Sequence, residues 1–273
     1  MINRNIYRKE MKQYRNSFIG WSASVSAFIL MGMAFYPILM QGDMLKQFTA
    51  FFENPFMKNI MTAFGASLDI LTNVLGFYST RNAMFIMLLG SFYSMFLSGK
   101  ILAQEEREKT AEFLLTKPVT RHEVVGSKLA AYLTYMLLFN LVILVIGFLS
   151  LEIFKGDSRY RFNTFAIHWF YCFLLMLTFG AIGIFLSLLI KRGRPITNLS
   201  IGVIIGGYFI DVLSRVTPSV DKIGYLSPFK FVDSAVLQSG YTITGWRVMY
   251  FLGLSVLLFV LTFVLYKKKD ILV

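Results

Sequence analysis

The chain has 273 residues, 56% of them hydrophobic and 15% charged, with a mean hydropathy of +0.62 and a formal net charge of +12. Soluble domains run at about 45–50% apolar and about 25% charged, so an ordinary soluble domain is excluded. The one cysteine, Cys172, excludes an internal disulfide and fits apolar packing. In chain order, residues 1–16 are basic and amphipathic. Tyr7, Met11, Tyr14 and Phe18 share one helical face, with Arg4, Arg8, Lys12 and Arg15 beside it. This reads as a helix lying in the inner membrane interface, rings toward lipid and charges toward anionic headgroups. Asn16–Gly42 then holds no Lys, Arg, Asp or Glu, and neither do 82–99, 129–151, 162–190, 195–210 and 248–266. A bilayer core needs roughly 20 apolar residues in a helix, because backbone groups in lipid must be satisfied within the segment. The reading is an all-α integral membrane protein forming one domain over 1–273, with six transmembrane helices near 17–41, 82–103, 122–151, 163–190, 195–216 and 246–266. The first run is too long, and lacks the small-residue site, for a cleaved signal peptide, so it is expected to stay as an anchor.

The stretches between spans carry further expectations. Residues 59–80 are nearly free of charge but polar at Asp69, Thr72, Asn73 and Thr80, so an external amphipathic helix on the membrane surface is expected rather than a seventh span. Pro195 is placed to open the fifth span, where a missing N–H costs nothing. In 217–245, Ser227-Pro228 reads as a cap and first turn. Phe229, Val232 and Val236 follow at helical spacing and Gly240 closes, predicting a short outer, re-entrant helix before span six. Lys and Arg number 17 on the segments assigned to the inside and 10 on those outside. That bias explains the net charge as topology, with both termini cytosolic, rather than as affinity for nucleic acid.

Residues 104–121 interrupt the apolar pattern most sharply. Glu105, Glu106, Glu108 and Glu112 give an acidic entry, and Ala111, Leu114 and Leu115 an apolar turn. Pro118 stops the helix, and Thr120-Arg121-His122-Glu123 forms a capping box that starts the next one. A short helix parallel to the membrane, apolar within a charged rim, has the composition of a docking site. The pattern Glu-x-Glu-x-x-Thr-x-x-x-Leu-Leu-x-x-Pro-Val-Thr-Arg, followed by Gly126-x-Lys128-Leu129, resembles the permease subunits of ABC-2 type transporters. It departs from their pattern at Lys109, where glycine is usual, and at Ser127, which splits a Gly-Lys pair.

The resemblance implies a coupling helix seated in a groove of a separate cytosolic ABC ATPase. Glu106, Glu108 and Arg121 would touch the rim, Thr110 would lie within the motif, Leu114 and Leu115 would act as knobs, and Pro118 would set the angle. It also implies two ATPase copies holding ATP and Mg, a second permease chain forming a homodimer or heterodimer, and a bacterial cell membrane. No cofactor is expected on this chain, because Gly99-Lys100 is followed by Ile101 and not by the Ser or Thr of a phosphate loop.

Within the spans, Asp211 and Arg215 stand one turn apart near the outer end of the fifth, either as a pathway or gate pair or as a local ion pair. Gly202 and Gly206 form a GxxxG suited to dimer packing, and His168 reads as structural. The 28 Phe and 14 Met residues fit an adaptable path for an amphipathic peptide or a hydrophobic toxic compound, expected to be exported. Two other classes compete. An ion-coupled carrier or channel normally shows several intramembrane charges or an inverted repeat, and neither is seen. An intramembrane protease is raised by Glu105-Glu106, but Thr110 stands where that chemistry uses Arg, and two His and one Cys are too few for a typical zinc site.

Overall fold

A computed structural model describes residues 2–57, 60, 68–107, 120–189, 196–232, 236–237 and 240–268. Every element among them is helical: α1 (Arg4–Leu39), α2 (Gly42–Glu53), α3 (Leu68–Thr72), α4 (Val74–Phe77), a π turn (Tyr78–Asn82), α5 (Ala83–Arg107), α6 (Arg121–Phe154), α7 (Phe162–Leu189), α8 (Ile196–Val216), 3₁₀ turns at Pro218–Leu226 and Pro228–Phe231, and α9 (Gly245–Lys268). Six helical stretches are long and apolar enough to cross a membrane: α1, Val74–Leu102, α6, α7, α8 and Gly245–Tyr266. The chain is a multi-pass membrane protein.

The second and fourth spans form the centre. Their apolar windows are 61% buried, against 22% for α1 and α8 and 17% for the sixth span. Small residues let them meet closely. A Cβ on Gly90 would come within 2.3 Å of Met176, one on Gly183 within 2.4 Å of Ser98, and one on Gly180 within 1.6 Å of the Tyr132 hydroxyl. Ser94 ties the same junction together, bonding the Met176 carbonyl at 2.5 Å and the Tyr132 hydroxyl at 2.9 Å. The sixth span is held to the fourth by the Thr178–Ser255 hydroxyl pair at 3.2 Å.

Three segments differ from the sequence expectation. The basic N-terminal stretch is not a separate interfacial helix but the first part of a continuous α1. At about 1.5 Å per residue, its 36 residues exceed the roughly 30 Å bilayer core by many ångströms. The overhang packs along the equally long α6. Its aromatic face turns toward protein, because α6 offers both rings and hydrogen-bond partners there. Tyr7 donates to Thr134 at 3.1 Å, the Tyr135 hydroxyl donates to the Met11 carbonyl, and Phe18 packs on Tyr135 at 5.4 Å.

Of the polar residues expected on an exposed face of 59–80, Asn73 and Thr80 bond locally instead. Asn73 caps α4 by accepting from Leu75 and Gly76 at 3.0 and 3.2 Å, and Thr80 donates to the Gly76 carbonyl at 2.9 Å. Freed of any need for water, Val74–Tyr78 are buried and the stretch from Val74 runs into the second span. Asn82 then reaches the Ile29 carbonyl of α1 at 3.0 Å.

In the outer segment, Ser227 does cap, accepting from Phe229 at 3.2 Å. The helix it starts is one 3₁₀ turn, because Val232 is extended (φ −81°, ψ 118°). Phe229, Val232 and Val236 are nevertheless buried, so the apolar spacing marks core contacts made without a continuous helix. Gly240, at φ +91°, occupies the left-handed region that favours glycine.

Candidate functional site

The face that carries the 104–121 segment is built from three helix ends. α5 runs out to Arg107, and α6 restarts at Thr120 through a complete capping box. The Thr120 N–H donates to Glu123 Oε2 at 2.8 Å, and the Glu123 N–H donates to Thr120 Oγ1 at 3.3 Å. Arg121 is therefore the first helical residue of α6, and Glu106 lies in the last turn of α5. Glu108, Thr110, Leu114, Leu115 and Pro118 lie outside the described residues.

Behind the capping box, α1 is fastened to α6. Ser127 donates to the Glu123 carbonyl at 2.6 Å and accepts the Asn3 N–H at 2.7 Å, while the Asn3 side chain caps α1 itself. Two turns beyond the cap sits Lys128, with none of its side chain exposed. Its ammonium is 3.4 Å from Glu10 of α1, which is 1% exposed, and donates to the Ile101 carbonyl of α5. One cation thus joins three helices immediately behind the segment that links two of them. A charge this deep is tolerable only when paired and hydrogen-bonded. The arrangement makes α1, α5 and α6 a single mechanical unit at this face.

Sequence reasoning missed Glu10, and placed Lys128 among the topology charges and in the Gly126-x-Lys128-Leu129 motif without a partner. A usable signal was present in each case. Glu10 is the only acid among the first fifteen residues, and Lys128 sits two turns inside the helix that follows Thr120.

At the opposite face, Asp211 and Arg215 do meet. The guanidinium clasps the carboxylate, with Nε 3.1 Å from each oxygen and Nη2 3.0 Å from Oδ2. Asp211 is buried, while the Arg215 side chain is 29% exposed. The pair faces a cavity of about 40 Å³ walled by Ser79, Tyr208, Phe229 and Val232. A water occupies about 30 Å³ in the liquid, so this space suits a solvent molecule and is far below the roughly 300–1,000 Å³ of ligand pockets. Lys230 closes the region from the 3₁₀ turns, pairing with Asp221 at 2.6 Å and donating to Ser214 at 3.3 Å.

Gly202 and Gly206 face open space: among the described residues, a Cβ on either would have no atom within 4 Å. His168 and Cys172 are one turn apart in α7, both buried, with sulfur and Nε2 3.9 Å apart.

A sequence profile of the family described as "ABC-2 family transporter protein" matches residues 4–271. No curated protein and no solved structure matches the chain.

Proposed function

This chain belongs to the ABC-2 family of transporter proteins and is the membrane permease subunit of an ABC transporter, and from that premise we propose that the 104–121 segment receives the stroke of a separate cytosolic ATPase. The observation that carries this reading is the three-helix junction behind the segment. A push on the loop meets a capped α6, and through Lys128 it reaches α1 and α5 together. A loop whose only task was to connect two spans would need no buried cation behind it. Leu114 and Leu115 would enter the ATPase groove. Glu106, Glu108 and Arg121 would contact its rim, Thr110 would lie between them, and Pro118 would fix the entry angle.

In this reading two ATPases, with ATP and Mg bound on them, serve two permease chains. The open α8 face with Gly202 and Gly206 is where a second permease chain would pack. Both termini lie in the cytosol of a bacterial cell, as the excess of Lys and Arg on their face supports. The cargo is an amphipathic peptide or a hydrophobic toxic compound moving outward. The Asp211–Arg215 clasp and its small cavity serve as part of an outer gate rather than as a binding site.

The test is association. Purified permease is expected to capture a soluble phosphate-loop ATPase encoded beside it. The double substitution Leu114→Glu with Leu115→Glu is expected to abolish capture while the protein remains monodisperse. Undiminished capture and transport by that variant would overturn the coupling assignment.

A further inference from the structure

A second cavity, of about 290 Å³, opens between α1 and α5 on the half of the bundle that carries both termini. It belongs neither to the loop junction nor to the Asp211 region. Its walls are aromatic: Trp21 of α1 stands 6.0 Å from Tyr93 and 6.1 Å from Phe96 of α5, ring centroid to ring centroid. Leu97 completes the apolar side and Ser17 lies on the α1 edge.

Beside Gln13 and Ser17 on the α1 side, two polar groups of α5 break this wall. Tyr93 is 1% exposed and its hydroxyl has no hydrogen-bond partner among the described residues. Buried hydroxyls are normally satisfied, and one that is not is expected to meet water or a ligand. Lys100 lies seven residues further along α5, on the same face and about 10 Å nearer the helix end. Its ammonium is 5.9 Å from the Phe96 ring, and it has no carboxylate partner among the described residues. A donor deep in an aromatic slot and a cation at its rim form a graded pattern: hydrocarbon inside, an acceptor oxygen part-way, an anionic group at the mouth.

The geometry points to a binding site for an anionic amphiphile, taken up from the cytosolic leaflet between the first and second spans. Trp21 and Phe96 together wall one side of its hydrocarbon body, Tyr93 donates to an ester or amide oxygen, and Lys100 pairs with its phosphate or carboxylate. The volume lies at the low end of the ligand-pocket range, so it holds one chain segment and its linkage, with the remainder of the molecule in lipid. The inference deepens the permease reading and rests on it only in placing this face toward the cytosol. The chemistry has two sources, a resident anionic phospholipid or an amphiphile drawn in as cargo.

Trp21 supplies the readout. The full chain is placed in phosphatidylcholine nanodiscs and its fluorescence is quenched by dibromostearoyl lysophosphatidate, with dibromostearoyl glycerol as the uncharged control. Saturable quenching that is absent in Trp21→Phe is expected for the anionic probe. Tyr93→Phe and Lys100→Gln, which keep the shape of the cavity, are each expected to weaken it by roughly fivefold to tenfold. The uncharged probe should resemble the Lys100→Gln result. Discs built with dibrominated phosphatidylglycerol separate the sources. Quenching that added lysophosphatidate cannot relieve assigns the site to a resident lipid, and quenching that it relieves assigns it to an exchangeable solute. Equal, non-saturating quenching by charged and uncharged probes, unmoved by either substitution, overturns the proposal and leaves the cavity to water. The assay uses the permease alone, so its failure leaves the capture of an ATPase untouched, and failure of that capture leaves the quenching untouched.

Discussion

The charged contacts of the loop face and those of the α8 corner at the opposite face are organised differently. At the loop face, Lys128 joins residues from α1, α5 and α6, and Asn3 reaches Ser127 across 124 positions of sequence. At the opposite face, Asp211 finds Arg215 one turn away on its own helix, and Lys230 finds Asp221 nine residues back. Long-range bonds make separate helices move as one, whereas local bonds travel with the element that owns them. The loop face is built to pass displacement between spans. The α8 corner is built so that α8 and its 3₁₀ turns can shift with their ion pairs intact, while Tyr36 fastens α1 on that same face.

The contrast can be broken most severely at Lys128. Lys128→Met removes the counter-charge of a buried Glu10, and is expected to destabilise the fold by about 3–5 kcal/mol, read as a fall in thermal midpoint in detergent. Adding Glu10→Leu should recover most of that loss. A double-mutant cycle without coupling would show that the three-helix junction is not a unit. Next in size is Gly180→Ala, whose methyl group would collide with the Tyr132 hydroxyl inside the centre of the bundle; about 1–3 kcal/mol is expected. Thr120→Ala removes one half of the capping box and should cost about 1 kcal/mol, with faster hydrogen exchange confined to the first turn of α6. Asp211→Asn should cost less than about 1 kcal/mol, because the pair is local and Arg215 reaches solvent. A loss as large as that of Lys128→Met would erase the distinction between the faces. Gly202→Ala is expected to leave monomer stability unchanged or raise it by up to about 1 kcal/mol, since its Cβ meets nothing and alanine is the better helix former.

What could be read from the sequence follows from the range of each interaction. The six spans are written as charge-free runs, and the capping box as a four-residue motif; both survive in the structure because they rest on local rules. The Asp211–Arg215 pair was visible for the same reason. The Glu10–Lys128 pair was not, since no periodicity links two charges on different helices. The role of Val74–Asn82 was hidden because Asn73 and Thr80 look like a wet face until their hydrogen bonds are known to close on the backbone beside them. The GxxxG at Gly202 points to packing, yet the close approaches between helices lie at other glycines, Gly32, Gly90, Gly99, Gly180 and Gly183 among them, which no single spacing motif marks. Of the expected coupling residues, only Glu106 and Arg121 fall on described helix ends.

α1 is anchored at both ends. Near one end it carries Glu10. Near the other, the Tyr36 hydroxyl donates to the Thr72 carbonyl at 2.9 Å and lies 3.0 Å from the Ser158 hydroxyl. Between them no proline interrupts the helix, since Pro37 comes only in its last turn. The 26 helical rises from Glu10 to Tyr36 make a strut of about 39 Å at ~1.5 Å each, long enough that a tilt of ~5° sweeps its far end through about 3 Å. A hydrogen bond does not survive that distance. The consequence is a mechanical fuse: a modest lean at the loop face is enough to unfasten Tyr36 on the other side of the membrane. Tyr36→Phe is expected to let that end of α1 move without any push, measured as a broadened distance distribution between spin labels on α1 and the loop after α6; an unchanged distribution would show that the strut is held elsewhere.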